Sequence, residues 1–112
     1  MPTIKENKLF TVIIEWEVDP QQQQALIDAL SKQVERHFKS YPGFVSASFH
    51  ASDDGQRVIN YAQWLSKESW SESFQASGRD KVTATNHEAI RRCGAKTVKI
   101  DFFCIARVVE NV

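Results

Sequence analysis

The chain has 112 residues, with 14 Lys and Arg against 14 Asp and Glu, so its formal net charge is zero. That length fills one domain, taken as residues 1–112 with a core of about 9–109, and is too short for two full cores. Zero net charge excludes the overall basic surface that nucleic-acid binders carry.

Leu9 to Val18, LFTVIIEWEV, is rich in β-branched and aromatic residues and predicts a strand. Val12, Ile14, Trp16 and Val18 share one face, and Thr11, Ile13, Glu15 and Glu17 share the other. Asp19-Pro20 then opens a helix: Asp19 suits the cap, Pro20 the first turn, and Gln22 a capping-box spacing. Leu26, Ile27, Leu30, Val34, Phe38 and Tyr41 recur at helical spacing, and Pro42-Gly43 stops the run.

Phe44 to Ala51 alternates as a second strand. Ser52-Asp53-Asp54-Gly55 is a hairpin signal, because Gly accepts the positive φ that a tight turn requires. Arg57 to Trp64 is a third strand, with Val58, Asn60, Ala62 and Trp64 on one face. Ser66 caps the next helix, and Leu65 and Trp70 have the spacing of a hydrophobic staple. Phe74 lies one turn beyond Trp70 on the same face. Ser77-Gly78 breaks the helix, and a further helical stretch, Arg79 to Arg92, ends near Gly94. Thr97 to Val109 is a last, long apolar strand.

The order strand, helix, strand, strand, helix, strand predicts an α+β, ferredoxin-like βαββαβ fold with a four-stranded antiparallel sheet. Helices cover one face of such a sheet. Ile13, Ile59 and Tyr61 make the other face apolar enough to need cover, and a second copy of the chain is the simplest one. A homodimer with sheets face to face is therefore expected.

No apolar run reaches the roughly 18 residues that span a bilayer. Met1 to Lys8 is polar and lacks an apolar signal core. Cys93 and Cys104 are expected as free thiols, since no Cys-x-x-Cys or His-x-x-x-His spacing suggests a metal. The expectation is a cytoplasmic protein with no membrane or nucleic-acid partner.

Asn60 is the most unusual residue, an amide in a strand between Ile59 and Tyr61. It either bonds a neighbouring loop or helix end, or it serves a ligand. Trp64 shares its face, and Trp70 follows on the next helix, with Trp16 and Phe74 as further aromatic candidates. These rings are either core or the flat walls of a pocket for a planar ligand. His50 and His87 are candidate supports, being among the few groups that titrate near neutrality. No catalytic triad and no Gly-rich phosphate loop is present in the sequence.

The stretch from Tyr41 to Phe74 carries PGFVSASFHAS, DG, VINYAQW and S-x-E-S-W-x-x-x-F. Together these resemble the antibiotic biosynthesis monooxygenase domain, and in particular its small polyketide quinone-forming, anthrone-type members. The resemblance implies a dimeric α+β barrel. It implies oxidation of a small aromatic substrate, phenol-, anthrone- or quinone-like, with O₂ and no cofactor: no metal, flavin or haem. Asn60 matches the family's strand Asn, which orients substrate or oxygen. Trp64 matches the Trp that contacts substrate or the peroxy intermediate.

Two positions depart from that pattern. Trp70 stands where the family has a proton-handling Tyr, and an indole N–H donates without acting as an acid near neutral pH. Ala84 is the nearest match to the family's helix Arg, while Arg79 substitutes only if the helix is shifted. These departures keep a non-catalytic dimeric small-molecule-binding protein as an alternative. Haem-degrading relatives use an Asn, a Trp and a helix His. His87 imitates the last, but the first strand here lacks an Asn.

Overall fold

The computed structural model describes residues 9–111. Alternating β-branched and aromatic residues form β1 (Phe10–Glu17), β2 (Phe44–Ala51), β3 (Arg57–Trp64) and β4 (Lys96–Cys104). They make one antiparallel sheet in the order β2-β3-β1-β4. The helices are α1 (Gln23–His37), α2 (Lys67–Ser73) and α3 (Arg79–Arg92). This is the ferredoxin-like α+β arrangement that the element order predicts.

Register decides which residues meet the helices. Val12 lies opposite Ala62, Ile14 opposite Asn60 and Trp16 opposite Val58. That face carries the core, and the core is in two parts. One cluster joins Trp16, Val18, Leu26, Leu30, Val58 and Ala89. The other joins Val12, Tyr41 and Trp64, with Phe10, Phe38, Phe44 and Trp70 packed around them. Ile14 packs against both.

The β2–β3 hairpin turns at Ser52–Gly55, where Gly55 has φ 78° and its N–H donates to the Ser52 carbonyl at 3.0 Å. A Cβ there would also come within 2.9 Å of Pro20, so Gly55 is required twice over. The Gln23 amide ties α1 to this hairpin by donating to the carbonyls of Arg57 (2.9 Å) and Ser52 (3.2 Å).

Three local expectations are corrected. Asp19 makes no side-chain cap. Instead Pro20–Gln22 forms a 3-10 turn, with Gln22 N–H donating to the Asp19 carbonyl, and α1 begins after it. Ser66 does cap α2, accepting from Ser69 N–H at 3.0 Å, but Leu65 is 61% exposed and no staple holds it. The last strand ends at Cys104 rather than Val109. Cys104 pairs with Phe10, the first residue of β1.

The sheet face away from the helices carries half-buried Ile13, Ile59 and Tyr61. Phe103 is on the same face and 51% exposed.

Candidate functional site

Asn60 sits in the middle of β3, between Ile14 of β1 and Phe49 of β2. Large residues flank this row on both sides, but Asn60 itself is short and Ala62 beside it is small. Space remains between sheet and helices, a cavity of about 230 Å³. Of the residues singled out in the sequence, Asn60, Trp64, Trp70, Trp16, Phe74 and His87 all line it.

Aromatic rings form one end of the cavity. Trp64 meets Phe44 edge-on at 5.3 Å between centroids and Phe38 at 6.2 Å. Trp70 meets Phe74 edge-on at 5.2 Å and Phe102 at 5.0 Å. Such edge and tilted contacts hold ring planes in fixed orientations, so these walls are shaped before any ligand arrives. Trp70 takes its place from the Ser66 cap, which fixes where α2 starts.

Arg79 is the charged element. Gly78, in the left-handed region at φ 80°, ends the preceding turn and makes Arg79 the first residue of α3. The side chain then runs inward and is only 7% exposed. Its guanidinium lies 4.5 Å from the Phe74 ring centroid, 4.8 Å from Phe38 and 5.9 Å from Tyr41. It donates to Thr83 Oγ1 at 2.7 Å. Among the described residues no carboxylate pairs with it. Burial pulls its pKa below the ordinary value, with an opposing contribution from Tyr41, and a guanidinium keeps its charge at neutral pH.

Four buried polar atoms have no partner and belong to residues on the cavity wall: Asn60 Oδ1, Asn86 Oδ1, Trp16 Nε1 and Arg79 Nε. Buried polar groups are nearly always satisfied by protein, water or ligand. All four are sealed by their neighbours, so a side chain must turn before a ligand in the cavity can bond any of them.

The histidines separate. His87 is exposed yet lines the cavity, which puts it at the opening. His50 does not line the cavity. The pleat turns Phe49 inward, so His50 points to the other face, where its Nε2 lies 3.0 Å from Ser48 Oγ. Ala84 is exposed on α3 and is also absent from the lining.

In the sequence Arg79 stands out only as a substitute for the Ala84 position, and Asn86 does not stand out at all. The signal for both is helical spacing: Arg79, Thr83, Asn86 and Ile90 recur every three or four residues along α3, and all line the cavity.

Among the described residues no group of three or more His, Cys, Asp or Glu is placed to hold a metal ion. Cys93 is buried and Cys104 exposed, and both are free thiols. No helix is long and apolar enough to cross a membrane among the described residues.

Residues 9–84 match the family model described as antibiotic biosynthesis monooxygenase. Over 68 residues the chain is 48% identical to the tetracenomycin-F1 monooxygenase of Streptomyces glaucescens. That match spans 60% of this chain and 61% of that protein. The crystal structure of a monooxygenase from the gene ActVA-Orf6 of Streptomyces coelicolor, in complex with nanaomycin D, superposes with a TM-score of 0.75. It is 30% identical, and the alignment covers 92% of each chain. SnoaB, a cofactor-independent oxygenase from Streptomyces nogalater, shares the fold at 14% identity with a TM-score of 0.66, covering 93% of this chain and 99% of that one.

Proposed function

Since the chain belongs to the antibiotic biosynthesis monooxygenase family, we propose that it oxidises a planar phenol-, anthrone- or quinone-like molecule with O₂, without metal, flavin or haem. One observation carries this reading: a cavity with aromatic walls that is lined by the strand amide residue Asn60 and by the buried cation Arg79.

The chemistry needs little from the protein beyond binding, charge stabilisation and exclusion of water. An electron-rich phenol or its keto form loses a proton, and the resulting anion donates electrons to O₂. A C–O bond forms, giving a peroxide. Loss of water then breaks the O–O bond and the remaining C–H bond. One oxygen atom ends in a new carbonyl and the other in water, so the substrate supplies all four electrons. Arg79 is the cation within the cavity that stabilises the anion, and Asn60 fixes an oxygen substituent by hydrogen bonding. Trp64, Trp70 and Phe74 hold the ring plane. Trp70 cannot accept the proton, so the acceptor is His87 at the opening or a water beside it.

Anthrone provides the test: each molecule should consume one O₂ and yield anthraquinone and water. Arg79→Met and Asn60→Ala should each slow the reaction by about 100-fold, the usual effect of removing one group that stabilises developing charge. Unchanged rates in both variants would remove these residues from the site.

A non-catalytic binding protein is the second reading, favoured by the indole of Trp70 at the helix position facing the cavity. It predicts saturable quenching of Trp fluorescence by anthrone with no O₂ uptake. A haem-binding role fits less well, because about 230 Å³ falls below the range of roughly 300–1,000 Å³ usual for pockets that take drug-sized ligands.

The functional unit is a cytoplasmic homodimer of single-domain chains. Ile13, Ile59, Tyr61 and Phe103 on the uncovered sheet face support this, as do Val98, Ile100 and Phe102 on β4, whose outer edge is unpaired.

A further inference from the structure

Arg79 departs from the usual behaviour of a charge on a long stem. It is 7% exposed, and among the described residues no carboxylate meets it. Burying a cation without a counter-ion is costly, and a flexible stem ordinarily lets it snorkel to water. Arg79 begins α3 beside exposed Asp80 and Lys81, so the way out is short. Something must therefore hold the side chain inward. The rings of Phe74 and Phe38, 4.5 and 4.8 Å away, do part of this. A ring face attracts a cation without fixing its rotation. Among the described residues the guanidinium makes one hydrogen bond, from Nη1 to Thr83 Oγ1 at 2.7 Å.

Thr83 lies one turn after Arg79 on α3, is half-buried and lines the same cavity. Its hydroxyl is used differently from that of Thr85, two residues on. Thr85 Oγ1 donates to the Lys81 carbonyl one turn back at 2.9 Å, the usual bond of a threonine inside a helix. Thr83 Oγ1 instead accepts from a side chain. The kind of acceptor matters. A carboxylate in its place would pair with the guanidinium and cancel its field in the cavity. A hydroxyl is neutral, so it ties the guanidinium down and leaves the charge whole. A charge also acts across several ångströms without a hydrogen bond, with a strength set by distance. Arg79 therefore acts on an anion that never bonds its sealed Nε, provided that the guanidinium stays in place.

We infer that Thr83 is a positioning residue for the proposed oxidation, its hydroxyl anchoring the Arg79 guanidinium at the cavity wall where the substrate anion forms. This rests on the proposed role of Arg79 and adds the group that keeps the cation there. Without that oxygen the guanidinium turns out to water, and the anion loses its cation although Arg79 is still in the chain.

Ionisation of anthrone under nitrogen tests this without turnover, because the enolate absorbs at longer wavelength than the ketone. With saturating wild-type protein, half-ionisation should fall about two pH units below that of free anthrone, as for an acid beside a cation. Arg79→Met should abolish most of that fall. Thr83→Val keeps the shape of the side chain and removes the acceptor. It should raise half-ionisation by about one pH unit, a tenfold change in the ionisation constant. Thr83→Ala gives the same result if Thr83→Val does not fold. Thr83→Ser restores the oxygen and should lie within about 0.3 unit of wild type. Combining Arg79→Met with Thr83→Val should match Arg79→Met alone, since Thr83 acts only through Arg79. Tyr41 beside the guanidinium and His87 at the opening titrate too, and every variant keeps both.

A Thr83→Val protein that ionises anthrone as the wild type does would overturn the inference. So would a double variant that raises half-ionisation further than Arg79→Met does, because Thr83 would then act on its own. A wild type that leaves the ionisation of anthrone where it is in water would overturn the role of Arg79 first, and the inference with it.

Discussion

The two halves of the core are made of different materials. Around Trp16 the packing is mainly aliphatic and tight: Leu26 and Val58 are fully buried, and helices α1 and α3 both contribute. Around Trp64 the packing is aromatic and loose at its rim, where Phe74 stays 45% exposed and Phe102 50% exposed. Aliphatic side chains interdigitate and leave little space. Rings that meet edge-on keep gaps that a flat ligand can enter. Both halves line the cavity, the first through Trp16 and Leu30 and the second through Trp64 and Trp70.

The sharpest way to break this contrast is stability. Leu26→Ala should cost about 2–5 kcal/mol, with a fall in melting temperature on the order of 10–20 °C. Phe74→Ala should cost about 1 kcal/mol or less, because nearly half of its surface is already in water. Equal losses in thermal melts would mean that the two halves share the load.

Asn60→Leu sharpens the contrast at the seam. It removes an amide whose buried oxygen has no partner and puts apolar volume into the cavity. Urea unfolding should show a gain of about 1 kcal/mol, while O₂ uptake with anthrone is lost. A destabilised Asn60→Leu protein would instead place Asn60 among the structural residues.

The smallest effect lies outside both halves, in the hairpin turn. Asp54 accepts from Gln56 N–H at 3.0 Å and from Ser52 Oγ at 2.7 Å. These bonds, the backbone one first, hold its carboxyl below the ordinary aspartate pKa. A lowered folded-state value means stabilisation that is present above the usual aspartate range and lost as pH falls through the lowered one. Asp54→Ala should therefore melt slightly below wild type at neutral pH, with the gap closing as acid takes the pH through the lowered Asp54 value. A gap that persists in acid would assign the effect to the turn's shape rather than to the charge.

Much of this arrangement is legible in the sequence because it is periodic or punctuated. Val12, Ile14 and Trp16 alternate, Leu26 and Leu30 recur by turns, and Asp54-Gly55 marks the hairpin. Asn60 is legible as a polar residue out of place. What stays hidden depends on partners distant in the chain. The apolar run after Cys104 reads as strand, yet β4 ends at Cys104, opposite Phe10 at the start of β1. Leu65 has staple spacing, but its N–H is drawn to the Gly43 carbonyl at 2.7 Å and its side chain stays largely in water. Arg79 reads as a solvated first-turn charge until Phe38, Tyr41 and Phe74 close over it. Rings from two distant parts of the chain cannot be foreseen from local spacing.

Ile14 is common to both clusters, and the cavity lies beside it. A ligand in that space touches both halves and completes a contact surface that the empty chain lacks. Binding to the folded state alone raises its stability by mass action, by about 2.7 kcal/mol when ligand exceeds Kd a hundredfold. An empty molecule opens more often and is exposed longer to proteases than an occupied one.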